Sequence, residues 1–316
     1  MRPTIATALL VLFIIPCARA AEDDFERLVP PGAKVEKLAG GMKFTEGPVW
    51  MDGFLVFSDI PASRLMKWQE PGGLSVFRDE SKIVDGKSGS NAPNGNARDP
   101  QGRLVTCEHT YRRVTRTDPG TNKSRVLVDK FNGKKFNSPN DLAVRSDGSV
   151  WFTDPPYGMG DEAKEQPGNY VYRLDPETKD VKPVIKSVEW PNGICFSPDE
   201  KRLYVANSDE KSPVIKVFDV KQDGTVGEGR DFCRINAGVP DGIRCDADGR
   251  VWSSAADGVE VFSTEGKHLG TITVPEPAAN LCFGGEDGKT LFVTARTSLY
   301  SVKTNVRGIS SPGTTR

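Results

Sequence analysis

The sequence has 316 residues, enough for a sizeable hydrophobic core, and its 42 basic and 43 acidic residues give a formal net charge of −1. So balanced a charge shows none of the basic excess by which proteins bind nucleic acid or an anionic membrane, and we expect neither partner. The 32 glycines and 23 prolines predict many turns, as a fold built of short strands requires.

The first 20 residues are expected to be a signal peptide rather than part of the fold. Arg2 supplies a positive charge, residues 6–15 form an apolar run, and residues 18–20 read Ala-Arg-Ala, a typical cleavage site. The apolar run is too short to span a bilayer. Cys17 keeps a lipoprotein as the alternative, although the proline before it is unfavourable there. We therefore expect an exported protein, periplasmic or secreted, without a membrane anchor.

One pattern recurs six times in the rest of the chain, residues 21–316, which we treat as a single domain. A polar residue is followed by an apolar segment of strand character, a turn such as Asp147-Gly148, and a second apolar segment. The copies begin roughly 40 to 50 residues apart, at Glu46, Asn94, Asn140, Asn192, Asp241 and Asn280. Strand-only repeats of this period are typical of propeller blades. The sequence therefore predicts an all-β, six-bladed β-propeller.

Segments outside these hairpins predict how the blades are completed and how the propeller closes. Outer strands such as residues 64–68 and 74–77 would bring each blade to four antiparallel strands. Residues 35–38 precede the first copy and residues 297–303 follow the last, and both have strand character. A closed propeller leaves no long sheet edge, so we expect an N-terminal strand to complete the last blade beside the C-terminal strand.

The five cysteines after the expected signal peptide do not predict a disulfide framework. An odd number cannot all pair within one chain, and none has the spacing of metal ligands. Four of them, Cys107, Cys195, Cys245 and Cys282, lie in predicted strands, and the fifth is Cys233. We expect small buried hydrophobic residues, with disulfide bonds as the alternative.

The residue that begins each copy should lie at one mouth of the central channel, because the first strand of a propeller blade lines that channel. Any one of these residues could also begin an ordinary turn. Together they form a ring of two carboxylates and four carboxamides. Such oxygens favour a hard divalent cation, best Ca²⁺, with Mg²⁺ or Mn²⁺ possible. Zn²⁺ remains an alternative that would more naturally recruit His or Cys.

A second polar layer is expected at the same mouth, where the second strand of each hairpin returns. It contains Asp59, Glu108, Asp154 and Asn207. His109 follows Glu108 and could shuttle a proton, bind a substrate hydroxyl or be an ordinary polar rim residue. The candidate substrate contacts are Asn94, Glu108, His109, Asn140, Asp154 and Tyr157.

Four ordered motifs resemble a known family. They are FTEGPVW around Glu46, NSPNDLAV around Asn140, WPNGICFSPDEKRLYVANS around Asn192 and PDGIRCDADGRVW around Asp241. Together they resemble the gluconolactonase and regucalcin (senescence marker protein) family of six-bladed propellers, over nearly all of the chain after residue 20. The resemblance implies a hydrolase that opens a sugar lactone such as gluconolactone, acting as a monomer or weak oligomer on a small-molecule substrate.

The resemblance also implies roles for the ring residues. A divalent metal would be held by Glu46, Asn192 and Asp241, with Asn140 as a further ligand or as a contact to metal-bound water or substrate. Asp241 would also be the catalytic proton acceptor. Regucalcin-type members carry an arginine where this chain has Ser138, so the substrate stays open. A phosphotriesterase-like hydrolase on the same ring, or a non-catalytic Ca²⁺-binding propeller, are the alternatives.

Overall fold

A computed structural model describes residues 25–80, 92–118, 121 and 123–309. The expected signal peptide lies outside these residues, as does most of the loop before the second blade. Within the described ranges, no helix is long and apolar enough to cross a membrane. The helix α1 (Phe25–Leu28) and a 3-10 turn at Ile60–Ala62 are both short.

Six four-stranded antiparallel sheets build the fold, and each is one blade. The first blade consists of β2 (Thr45–Trp50), β3 (Leu55–Asp59), β4 (Arg64–Gln69) and β5 (Gly73–Asp79), and the second of β6 (Pro93–Arg98), β7 (Leu104–Glu108), β8 (Arg113–Asp118) and β9 (Lys123–Val128). The third blade consists of β12 (Leu142–Val144), β13 (Val150–Asp154), β14 (Tyr170–Leu174) and β15 (Val181–Ile185), and the fourth of β16 (Pro191–Phe196), β17 (Arg202–Asn207), β18 (Val214–Val220) and β19 (Val226–Arg234). The fifth blade consists of β20 (Ile243–Cys245), β21 (Val251–Ala255), β22 (Gly258–Phe262) and β23 (His268–Thr273), and the last of β24 (Ala278–Gly284), β25 (Thr290–Ala295), β26 (Ser298–Lys303) and β1 (Glu36–Gly40). A two-stranded hairpin, β10 (Lys130–Phe131) and β11 (Lys134–Lys135), precedes the third blade. The predicted six-bladed β-propeller is confirmed.

The last blade combines both ends of the described chain. Strand β1 pairs with β26, with Glu36 opposite Ser301 and Gly40 opposite Ser298. The order β1-β26-β25-β24 gives this blade its fourth strand. The predicted closure is therefore confirmed, although the strand begins and ends slightly later than residues 35–38.

The hairpin of β12 and β13 shows how each inner pair returns to the mouth where it began. Gly148 has a φ of +83°, which a glycine adopts easily, and its N–H donates to the Arg145 carbonyl at 2.8 Å. Asp147 Oδ1 accepts the Ser149 N–H at 2.8 Å. This tight turn sets the register that brings the Asn140 N–H onto the Thr153 carbonyl at 2.9 Å.

The hydrophobic core lies between neighbouring blades. Phe136 packs edge-on against Phe152 and Tyr172, with ring centroids 5.1 and 4.9 Å apart, and Cys107 of the preceding blade joins the same cluster. The cysteines at positions 107, 195, 233, 245 and 282 are all free and buried. The expectation that they act as small buried residues is therefore confirmed for this structure. Because each inner strand is clamped between two such clusters, its first residue is held in a fixed place at the channel mouth.

Candidate active site

The predicted ring assembles at one end of the channel as a chain of hydrogen-bonded amides. Asn94 Nδ2 donates to Asn140 Oδ1 at 2.7 Å, and Asn140 Nδ2 donates to Asn192 Oδ1 at 2.5 Å. Asn192 in turn is hydrogen-bonded to the side chain of Asp241. Asp241 is half-buried, whereas the five other ring residues are buried. The structure thus brings together all the ring residues that the sequence singles out.

Glu46 closes the ring from the other side. Its Oε2 accepts the Gly47 N–H at 2.5 Å and Asn280 Nδ2 at 2.9 Å. Asn280 Nδ2 also lies 3.4 Å from Asp141 Oδ2. Asn280 therefore links the first and last blades to a residue of the third.

That third-blade residue, Asp141, and its partner Arg244 were not singled out from the sequence. The carboxylate is 1% exposed; Oδ1 accepts the Leu142 N–H at 2.9 Å, and Oδ2 lies 3.3 Å from Arg244 Nη1. Arg244 stands on the inner strand β20, so the ion pair bridges the channel between the third and fifth blades. It forms the floor beneath the ring.

A glycine pattern in the sequence could have revealed Asp141. In four of the six blades the ring residue is followed by a glycine: Gly47, Gly95, Gly193 and Gly242. A Cβ added to Gly193 would lie 2.1 Å from the Asp241 carbonyl oxygen, and one on Gly47 would lie 2.2 Å from that of Asn94. These positions need glycine because the inner strands approach so closely. A carboxylate at the matching place in the third blade is therefore an exception that signals a role.

The acids of the ring repel one another. Burial, together with the nearby Asp141 carboxylate, raises the pKa of Glu46 to about 7. Burial and the charges of Glu46 and Asp141 raise the pKa of Asp241 well above its usual range, against the effect of its hydrogen bond to Asn192. Arg244 pairs with Asp141 and lowers the pKa of Glu46 only in part, so a further cation among the three carboxylates would lower the electrostatic free energy.

The donor set fits a hard cation better than a soft one. Among the residues that the structure describes, no group of three or more His, Cys, Asp and Glu side chains is arranged to hold a metal ion. The predicted ligand set contains only two such side chains, Glu46 and Asp241, and its other members are amides. Asn94 Oδ1 is buried without a hydrogen-bond partner, so the ring has one oxygen that is available to bind a cation. Carboxylate and amide oxygens of this kind suit Ca²⁺.

Two of the predicted substrate contacts, Glu108 and Asp154, accept hydrogen bonds from the protein. Glu108 is fully buried and accepts from Arg113 Nε at 2.5 Å and Thr115 Oγ1 at 2.8 Å. Asp154 is equally buried and accepts the N–H groups of residues 137 and 138 at 2.8 Å each. Burial raises the pKa of Asp154 to about 7 despite these bonds. Each of the four carboxylate oxygens thus accepts a hydrogen bond from the protein.

His109 does reach the ring. Its Nε2 lies 2.8 Å from Asn94 Nδ2 and 3.1 Å from Asn140 Oδ1, and the side chain is 6% exposed. Burial lowers the pKa of His109 to about 4, so the imidazole is neutral at pH 7. The backbone of Gly158 packs against the imidazole of His109 so closely that a Cβ added to Gly158 would lie 2.4 Å from the imidazole carbon Cγ. His109 is thus fixed as a neutral hydrogen-bonding group.

An exposed aromatic pair stands beside the ring. Tyr157 and Trp190 stack with ring centroids 5.7 Å apart, and they are 43% and 38% exposed. The Tyr157 hydroxyl is hydrogen-bonded to Ser208 and to the ring residue Asn192, while burial of the phenol raises its pKa to about 12. Trp190 was missed, although the sequence Trp-Pro-Asn at the start of β16 places it two residues before Asn192.

Comparison with known proteins identifies the family of this chain. A family model described as the SMP-30/Gluconolactonase/LRE-like region matches residues 44–297. The chain belongs to this family. The matched segment spans all six ring residues. A gluconolactonase from Zymomonas mobilis is 36% identical over 294 residues, covering 87% of this chain and 82% of the relative.

Two further proteins are similar over most of the chain. The solved structure of a gluconolactonase from Xanthomonas campestris has a TM-score of 0.81 and 35% identity, covering 89% of this chain and 92% of that chain. A pentonolactonase from Haloferax volcanii is 27% identical over 256 residues, covering 79% of this chain and 80% of the relative. Proteins similar to this chain are thus named for more than one sugar lactone.

Proposed function

We propose that this protein is a metal-dependent hydrolase that opens a sugar lactone such as gluconolactone. Lactone hydrolysis is the activity for which the similar proteins from Zymomonas, Xanthomonas and Haloferax are named. The observation that carries the proposal is the convergence of Glu46, Asn192 and Asp241 on one channel mouth, next to a buried histidine and an exposed aromatic pair.

Glu46, Asn192 and Asp241 would hold the cation, with Asn140 beside them. Their oxygens and the excess of negative charge at the ring favour Ca²⁺, and Mg²⁺, Mn²⁺ or Zn²⁺ could occupy the same place. When bound, the ion supplies a positive charge that polarises the lactone carbonyl and stabilises the oxyanion.

The protein's own groups would move the protons. Asp241, the most solvent-accessible ring residue, takes a proton from the attacking water as the new bond to the carbonyl carbon forms. The bond between the carbonyl carbon and the oxygen of the lactone ring then breaks. The carboxyl group of Asp241 returns the proton to that departing oxygen. Asn140, held between the amides of Asn94 and Asn192, orients the water or the carbonyl. The neutral His109 keeps Asn94 in place and can reach a substrate hydroxyl.

Removing the metal tests this proposal. Prolonged dialysis against EDTA should abolish hydrolysis of glucono-δ-lactone, followed as acid release in weakly buffered solution, and added Ca²⁺ should restore it. A control with the Asn192→Ala variant should show little recovery, because that change removes an oxygen from the ring. Metal dependence would be refuted if the protein were fully active after metal analysis had shown that no metal was bound. The substrate class would be refuted if no sugar lactone were hydrolysed.

We also propose that Tyr157 and Trp190 form the wall on which the sugar ring rests. Trp190→Ala should raise the KM for the lactone several-fold while leaving kcat nearly unchanged, because stacking contributes to binding but makes no bond to the reacting atoms. Val126→Ala, at a residue that is 47% exposed on the outer strand β9, is the matched control. A fall in kcat at constant KM would instead give Trp190 a role in shaping the ring.

The protein is further proposed to act outside the cytoplasm. This rests on the positive, apolar and small-residue segments within residues 1–20. Expressed with its full N-terminus in a bacterial host, it should be recovered from the periplasm or medium with Ala21 as its first residue by N-terminal sequencing. A cytoplasmic protein that keeps Met1 would contradict the expectation.

A further inference from the structure

Two cysteine sulfurs meet between neighbouring blades. Cys195 Sγ and Cys245 Sγ lie 3.7 Å apart, on the inner strands β16 and β20. Both side chains are buried, at 6% and 3% exposed. A disulfide bond is about 2.05 Å long, so the sulfurs would have to approach by less than the width of one atom. Closing that gap would take side-chain rotation and a small shift of the strands.

We propose that Cys195 and Cys245 are a redox-active pair that forms an intramolecular disulfide bond when the protein meets a disulfide oxidant. One thiol loses its proton and attacks a sulfur of the oxidant, which releases the first reduced thiol. The second cysteine then attacks the mixed disulfide and releases the other. Overall, two protein thiols are oxidised to one disulfide while one disulfide of the oxidant is reduced to two thiols.

The channel gives a small oxidant a way in. The end of the channel opposite the ring opens into a cavity of about 460 Å³ whose lining includes both thiols and Arg244. Exposed Pro198 and Asp199 also line it, so the cavity reaches the protein surface. Burial raises the pKa of Cys245 well above its usual range, whereas the neighbouring Arg244 guanidinium acts in the opposite direction. Exchange should therefore proceed, but slowly.

A disulfide between Cys195 and Cys245 would link the two strands that lead to ring residues of the candidate active site. Strand β16 carries Asn192, and Asp241 directly precedes Gly242 at the entry to β20. The two strands already touch through the Gly193 N–H, which donates to the Asp241 carbonyl at 3.0 Å. A disulfide further along the same strands would keep these two ring residues together when the propeller loosens. It would also close a long loop of chain, which restricts the unfolded state. The proposed disulfide does not depend on whether the protein hydrolyses lactones.

Thiol chemistry on the full-length, folded protein tests the proposal. The reduced protein is treated with 2-hydroxyethyl disulfide, and its mass is compared before and after removal of the reagent. We expect a loss of two hydrogens, a peptide map that links Cys195 to Cys245, and a higher Tm that dithiothreitol reverses. Cys233→Ala, at another buried cysteine outside the pair, should behave like the wild type, whereas Cys195→Ala should lose the cross-link.

Each other result overturns part of the inference. An unchanged mass, a mixed disulfide that persists without closing, or a link to Cys282 would refute the assigned pair. A cross-link that leaves Tm unchanged would refute the fastening role. The peptide map of the wild-type protein decides the pairing even if Cys195→Ala does not fold.

Discussion

Asp241→Asn is expected to lower the turnover of a sugar lactone by about 10² to 10⁴-fold even at saturating metal. The substitution keeps an oxygen that can bind the cation and can still meet Asn192, but it removes the basic site that would accept the proton of the attacking water. Turnover and KM would be measured against Ca²⁺ concentration, so that incomplete occupancy can be separated from slow chemistry.

Glu46→Gln is the matched variant, since it removes one negative charge from the same ring. We assign Glu46 to holding the ion and not to proton transfer, so its loss of activity should largely recover as metal is raised. If added metal also restores Asp241→Asn to near wild-type turnover, Asp241 is a ligand only. His109 would then be tested first, because its Nε2 lies within the ring, whereas the Asp154 carboxylate is occupied by two backbone N–H groups.

The sequence carried most of the fold because the fold is repetitive. Each inner hairpin depends on local signals, a turn such as Asp147-Gly148 between two apolar segments, and six copies at a regular spacing leave few other architectures. Closure by β1 and β26 followed from the need to avoid a free sheet edge. The observed strand ends differ from the predicted ones by up to two residues because pairing, not propensity, sets where a ladder stops.

Ring residues could be predicted for the same reason: their place at the entry of an inner strand fixes where they point. Asp141, Arg244 and Trp190 were missed, because their contacts join residues of different blades. The glycine that follows the ring residue in four blades was the available clue to Asp141. Reading that position as a close approach of backbones would have marked its carboxylate as an exception.

Position at the channel mouth was not enough to predict what Glu108 and Asp154 do. Both end the second strand of a hairpin, as expected, and both are fully buried. At such strand ends, loop N–H groups and neighbouring side chains need acceptors, and a carboxylate satisfies two of them at once. Which carboxylates serve the fold and which serve the substrate is decided by side-chain direction, and the repeat pattern does not contain it.

Arg244→Met is expected to destabilise the protein by about 3–5 kcal/mol, the usual cost of leaving one member of a buried ion pair alone. Its loss strands the Asp141 carboxylate, whose side chain is 2% exposed, among the other acids of the site. The double variant Arg244→Met/Asp141→Asn should recover much of this free energy, since the charge of Asp141 is removed together with that of its partner and the amide oxygen introduced at position 141 can still accept the Leu142 N–H. Arg230→Met is the control, because its pair with Asp219 lies on the surface and should be worth less than about 1 kcal/mol.

Urea unfolding in saturating Ca²⁺ gives the free energies of unfolding of the wild type and of the three variants. If the double variant is as unstable as Arg244→Met, the arginine stabilises the channel by packing, and the charge balance beneath the ring is not what holds the site together.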